Sequence, residues 1–159
     1  MVWHARPRRA TIWTAALAVL SVVAAGCSDD DGGETGNNGT VEVTLQEFAV
    51  LPSPDSAPAG EVTFDVTNIG PEDVHEFVVF ATDLAPDALP TAPDGSVDET
   101  GEGVELIDEI EDIAVDATPT LTVTLDAGSY VLICNIVEDE GADTIVHYQQ
   151  GMRVGFTAE

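Results

Sequence analysis

A chain of 159 residues, 44% hydrophobic and only 6% aromatic, can bury one modest core and is too short for several domains. Its four basic residues, Arg6, Arg8, Arg9 and Arg153, stand against 30 Asp and Glu, a formal net charge of −26. That balance excludes nucleic acid and anionic lipid head groups as partners held by charge.

The opening MVWHARPRRATIWTAALAVLSVVAAGC has a basic start, an apolar stretch from about Ala10 to Ala25 and small residues before Cys27. This is the layout of an export signal over residues 1–26. Ala24-Ala25-Gly26-Cys27 resembles the lipobox of bacterial lipoproteins, which implies cleavage before Cys27, a diacylglycerol on its thiol and anchoring at the outer face of the cytoplasmic membrane. An uncleaved membrane anchor and conventional cleavage are the other readings, and the Arg8-Arg9 pair alone is weak ground for twin-arginine export. Cleavage leaves one Arg against the 30 acids, a net charge near −29. Such a surface suits solubility in high salt or at an acidic cell surface, and it can also steer a basic partner into place. Residues 27–39, the lipidated Cys and an acidic, Gly-rich run, cannot offset the entropy cost of ordering and read as a tether with a reach of roughly 20 Å.

Residues 40–159 form the expected single domain. From Val41 the pattern has period two: Val41, Val43 and Leu45 alternate with polar residues, and the same alternation returns in EVTFDVTN, in TLTVTL and in MRVGFTA. HEFVVF and SYVLIC are apolar on both faces and read as interior strands. Turn residues separate the runs: Pro52, Pro54, Pro58 and Gly60; Asn68-Ile69-Gly70-Pro71; Asp126-Ala127-Gly128. Residues 82–118 read as an excursion with one strand or helical turn around LIDEIEDI. Short strands with regular turns predict an all-β, two-sheet antiparallel sandwich.

If Cys27 carries lipid, Cys134 has no disulfide partner in an oxidising compartment, so its thiol should be buried, reactive or metal-bound. Residues 40–159 hold His75, Cys134, His147 and Met152, and no other Cys, His or Met. Two imidazoles, a thiolate and a weak axial thioether are the donor set of blue-copper electron transfer. His75 opens an apolar strand, Cys134 ends one, and His147 and Met152 precede the last strand, so loops at one end of a sandwich can gather all four.

Here the chain resembles the cupredoxins, the small blue-copper proteins. The resemblance covers about residues 41–157 and is carried by PAGEVTFDVTNIGPEDVHEFVVF, with Asn68 and His75; by AGSYVLICNI, with Cys134; and by HYQQGMRVGFT, where four residues separate His147 from Met152. It implies a Greek-key β-sandwich that binds one copper ion through His75, Cys134, His147 and axially Met152, and that carries single electrons between larger extracytoplasmic redox proteins. A monomer is expected. The resemblance also implies an exposed His147 ring edge as electron exit, with Tyr148 touching the partner. One departure stands out: twelve residues, several of them acidic, lie between Cys134 and His147, where the family usually has only a few. That segment either bulges outward or loosens the site.

Other chemistries fit less well. Copper capture or delivery would use the same ligands. Cys134 and His147 as nucleophile and base lack any thiol-hydrolase signature around them, and a dedicated zinc site would more often replace the methionine by Cys, His or a carboxylate. Copper oxidases need further histidine-rich centres that two histidines cannot build, so the chain by itself is not expected to be an enzyme. The acidic runs match no calcium loop.

Overall fold

The computed structural model describes residues 39–140 and 143–159. The expected signal, Cys27 and all of the tether before Gly39 lie outside the described residues. In chain order the elements are β1 (Thr40–Gln46), β2 (Ala49–Ser53), β3 (Ser56–Ala57), β4 (Gly60–Asn68), β5 (His75–Ala81), β6 (Glu105–Ile113), β7 (Thr120–Leu125), β8 (Gly128–Ile133), β9 (Val137–Glu140), β10 (Asp143–Val146), the short helix α1 (His147–Gln150) and β11 (Arg153–Ala158). One sheet runs β2-β1-β4-β7 and the other β3-β11-β8-β5-β6, while β9 and β10 pair with each other. The chain changes sheet after β2, β3, β4, β6 and β7, the Greek-key crossing that the resemblance implied.

Alternation along the strands explains why two sheets pack. Val41, Val43 and Leu45 of β1, Val62, Phe64 and Val66 of β4, and Leu121, Val123 and Leu125 of β7 are buried on one face, and Glu42, Glu61 and Asp65 on the other meet or approach solvent. The second sheet supplies Phe77, Val79, Leu132 and Phe156 to the same core. Phe64 spans the interface, its ring 5.3 Å from that of Phe77 and 5.4 Å from that of Phe156, tilted or edge-on as aromatic quadrupoles prefer.

The doubly apolar strands β5 and β8 are interior, as expected. Their outer face, Val78, Phe80, Val131 and Ile133, is covered by Leu89 and Val97 of the 82–104 excursion together with Val146 and Tyr148. A small second core therefore lies outside the five-stranded sheet, beside the end where β8 leads into Cys134.

Of the two readings open for LIDEIEDI, the strand forms: it is β6, on the edge beside β5. Two features depart from the sequence reading. The Pro52–Pro58 region, read as a turn, holds β2 and β3, both at sheet edges, where a missing N–H costs no ladder bond. Pairing is also not wholly antiparallel: β1 runs parallel to β4, and β3 parallel to β11.

Candidate metal centre

Three strand ends bring the singled-out side chains to one end of the sandwich. The antiparallel register of β8 and β11 sets Arg153 opposite Ile133, so the next residues, Cys134 and Met152, also face each other. The Cys134 N–H donates to the Met152 carbonyl at 3.1 Å, and the Met152 N–H donates to the His147 carbonyl at 3.1 Å. Gly151 makes this tight return possible: its φ of 125° suits a residue without Cβ, and a Cβ there would stand 3.2 Å from the Phe48 carbonyl oxygen. His75 opens β5, and the N–H of the adjacent Glu76 donates to Cys134 Sγ at 3.2 Å.

The loop leading to His75 is fixed by Asn68, which is fully buried. Its amide donates to the carbonyls of Asp73 and Ile113, both at 2.9 Å, and its Oδ1 accepts from Gly70 N–H at 2.8 Å. All the hydrogen bonds of that side chain thus go to backbone on both flanks of the loop.

His75, Cys134 and His147 converge, all three fully buried. Their donor atoms form a triangle: Nδ1 to Nδ1 3.3 Å, Cys134 Sγ to His147 Nδ1 3.4 Å, and Cys134 Sγ to His75 Nδ1 3.9 Å. The centre of such a triangle lies about 2 Å from each corner, close to the bond lengths of a first-row ion to imidazole and thiolate. Two neutral rings whose Nδ1 lone pairs meet in this way repel each other unless a cation or a proton sits between them, so the donor set fits a metal ion. Met152, also fully buried, packs in the same core cluster as Cys134.

The electrostatics agree. Burial, and then the neighbouring His147, push the His75 imidazole below its ordinary pKa against the pull of Glu47 and Asp73, which favours the neutral ring that a metal needs. Burial pushes the Cys134 thiol up to about 12, despite the N–H groups of Glu76 and Ile136 aimed at it. A thiolate at this position therefore requires a compensating cation.

Two acidic residues that the sequence did not mark as part of the site stand behind the rings. Glu47, on the turn between β1 and β2, has Oε1 3.8 Å from His75 Nε2, and Glu138 of β9 has Oε1 3.5 Å from His147 Nε2. Burial opposes the charge on Glu47, yet the N–H groups of Asp73, Glu47 and Glu72 and the nearness of His75 hold its carboxyl below the ordinary range. Nothing in the sequence around Glu47 signals this role; only the β1–β2 turn, folded back over the His75 loop, brings it there.

Two expectations are corrected. The His147 ring has no exposed edge: it is 0% exposed, with Glu138 at its Nε2 and the Phe48 ring edge-on at 5.3 Å. Tyr148 does not face outward either. It is buried, its hydroxyl accepts from Leu89 N–H at 3.1 Å and donates to the Pro86 carbonyl at 2.9 Å, and its own carbonyl takes a hydrogen bond from Arg153. The physical reasons are two: residues of the 82–104 excursion cover Tyr148, and the long segment after Cys134 covers His147. That segment neither bulges as an irregular loop nor opens the triangle; it pairs with itself as β9 and β10, with Val137 opposite Val146, and so carries Glu138 over the ring.

No protein-family model and no curated protein matches the sequence. Solved structures do. The dithionite-reduced auracyanin of Roseiflexus castenholzii aligns at a TM-score of 0.51 and 21% identity over 76% of this chain and 97% of that one. The cupredoxin fold is this chain's fold. An azurin, Az-iso2 of Methylomonas sp. strain J, gives 0.48 and 17% identity over 77% of this chain and 98% of that one. Auracyanin A of Chloroflexus aurantiacus, a "blue" copper protein, gives 0.49 and 19% over 76% and 98%. Within the cupredoxin domain, the end that holds His75, Cys134 and His147 also carries the self-paired β9–β10 hairpin.

Proposed function

We propose that this domain is a type 1 (blue) copper protein that carries single electrons between extracytoplasmic redox partners. The observation that carries the reading is the buried triangle of two Nδ1 atoms and one Sγ. Copper, when bound, supplies a one-electron couple, with sulfur favouring Cu(I) and the imidazoles keeping Cu(II) accessible. The chain's own residues do the rest. Cys134 gives the thiolate, steadied by the Glu76 N–H; His75 and His147 give Nδ1; Met152 is the candidate axial ligand. The backbone bonds that tie Cys134, Met152 and His147 together, and the Asn68 lock on the His75 loop, hold the donors still. A donor set that moves little between oxidation states suits fast electron exchange. All three donors of the triangle are buried, which favours a carrier over an enzyme that must admit substrate to its metal.

The partner we infer is a redox protein with a basic docking face, because Glu47, Asp73 and Glu138 crowd the site and Arg153, the one basic residue after position 9, is folded over the Tyr148 ring at 5.1 Å. Lipidation at Cys27 would keep the domain near membrane-bound partners, and mass spectrometry of the mature N-terminus tests it. Copper capture and delivery uses the same ligands but requires the hairpin to open for each exchange. The deciding experiment is Cu(II) loading of the purified domain: an intense visible thiolate-to-copper absorption band that bleaches and returns over repeated redox cycles, with copper retained, is expected. Its absence would sink the proposal.

A further inference from the structure

We propose that Glu138 and Glu47 are positioning residues for the two imidazoles: each carboxylate takes the Nε2–H of one ring, fixes the tautomer that turns Nδ1 inward, and adds negative charge that favours the oxidised over the reduced ion. This rests on the metal-site reading above. His75 Nε2 and His147 Nε2 are both buried and have no other hydrogen-bond partner among the described residues. A buried ring N–H left unpaired is destabilising, and each one faces a carboxylate oxygen, at 3.8 Å and 3.5 Å. Both separations are longer than a hydrogen bond, and each carboxylate must move toward its ring to make one.

The two acids arrive by independent routes. Glu47 comes from the β1–β2 turn and is tied to the loop before His75, since its Oε1 accepts N–H from Asp73 at 2.8 Å and from Glu72 at 3.4 Å. Glu138 comes from β9, in the segment that departs from the family spacing. Asp73 and Glu138 both bring a carboxylate oxygen within 4.8 Å of a His147 ring nitrogen, so negative charge stands close to that ring. A carboxylate behind a ligating imidazole orients it and raises its basicity, and loss of such a partner typically weakens metal binding about 10–100-fold. The hairpin is thus a device that supplies one of two matched outer partners.

The test uses Glu138→Gln and Glu47→Gln, each retaining an oxygen acceptor, with Glu138→Asp as the conservative variant. In the metal-free protein labelled with 15N-histidine, NMR should show both rings protonated at Nε2. In the copper-loaded protein, Glu138→Gln should raise the reduction potential and weaken Cu(II) binding by about tenfold or more relative to Cu(I), with Glu138→Asp restoring part of both. Rings without a proton at Nε2, or a potential and a Cu(II)-to-Cu(I) affinity ratio unchanged in Glu138→Gln, would overturn the inference. If the wild type binds copper without the charge-transfer band but keeps the Nε2–H tautomers and loses Cu(II) affinity in Glu138→Gln, the carrier reading alone fails and the role of the carboxylates stands.

Discussion

The Nδ1 atoms of His75 and His147 face each other at 3.3 Å although the residues are 72 positions apart in the chain. Neither ring chooses this arrangement locally. His75 is set by the Asn68 lock and by β5, and His147 is set by its N–H bond to the Ile136 carbonyl and by the Met152 N–H on its own carbonyl. The scaffold therefore imposes a contact that is unfavourable for two neutral rings alone, and a bound cation relieves it.

Metal uptake should release a proton. With the thiol pushed up to about 12 in the metal-free protein, Cys134 is protonated at neutral pH, and a metal must displace that proton to gain the thiolate. About one proton per ion is expected from this residue, so Cu(II) or Zn(II) affinity should rise close to tenfold per pH unit around pH 7. Calorimetry in buffers of different ionisation enthalpy measures the count. Cys134→Ser should remove that proton and the charge-transfer band while leaving the far-ultraviolet circular dichroism unchanged, because serine keeps the size and an acceptor for the Glu76 N–H. Equal proton release in the two proteins would contradict the assignment.

Much of this fold is written in period-two alternation, because Val41-Val43-Leu45 or Val62-Phe64-Val66 can bury one face only as strands. The ligands are legible for a different reason: in a domain with two histidines, one cysteine and one methionine, scarcity itself singles them out. Other features leave no such mark. Pro52 and Pro54 suggest a turn, yet an edge strand such as β2 tolerates proline on its open side. The burial of His147 depends on Phe48, Glu138 and the hairpin, which come from separate segments and meet only in three dimensions. Alternation tells which face of a strand is apolar; it does not tell which loop will lie across a strand's end.

Asn68→Ala should lower stability and loosen the His75 loop together. The substitution strips partners from the Asp73 and Ile113 carbonyls and the Gly70 N–H, and each buried group left unpaired costs about 1–3 kcal/mol. Partial hydration at Asp73 reduces the sum, so a loss of about 2–4 kcal/mol in chemical unfolding is expected. Asn68→Asp keeps the acceptor for Gly70 but loses both donors and sets a buried carboxylate against the two carbonyl oxygens, so at neutral pH it should cost at least as much as Asn68→Ala. A loss below about 1 kcal/mol in Asn68→Ala would mean that the loop is held by something else.

Glu76 should make the metal-free protein less stable as pH rises from about 4.5 to about 7. Burial, then repulsion from Glu109, Glu99 and Glu111, raise its pKa from 4.5 to about 7. The folded state thus holds this proton more tightly than the unfolded chain does. The resulting stabilisation is complete below about pH 4.5, declines through the folded pKa and is gone above it. Glu76→Gln is neutral throughout and keeps the backbone N–H on Cys134, so its melting temperature should match wild type near pH 4 and exceed it at pH 8. Other carboxylates titrate in both proteins and cancel in the difference. A difference that does not change with pH would contradict the account.

The hairpin over His147 should slow electron exchange, and removing it should speed the reaction. Val137 and Val146 are opposite one another in β9 and β10, the geometry that a two-residue turn can close. Replacing residues 138–145 by Asn-Gly therefore keeps both valines, of which Val146 belongs to the outer core, and should leave the sandwich folded. It removes Glu138 from the ring and opens the Nε2 edge that is now fully covered. Because the shortened protein also loses four carboxylates, Glu138, Asp139, Glu140 and Asp143, the comparison is with the protein carrying Glu138→Gln, Asp139→Asn, Glu140→Gln and Asp143→Asn together, which makes the same charge change and leaves the hairpin in place. Electron self-exchange measured by NMR line broadening of mixed oxidised and reduced protein should be several-fold faster in the shortened protein than in that charge-matched variant. Equal rates would mean that the electron leaves by another face of the domain and that the cover over His147 does not limit its passage.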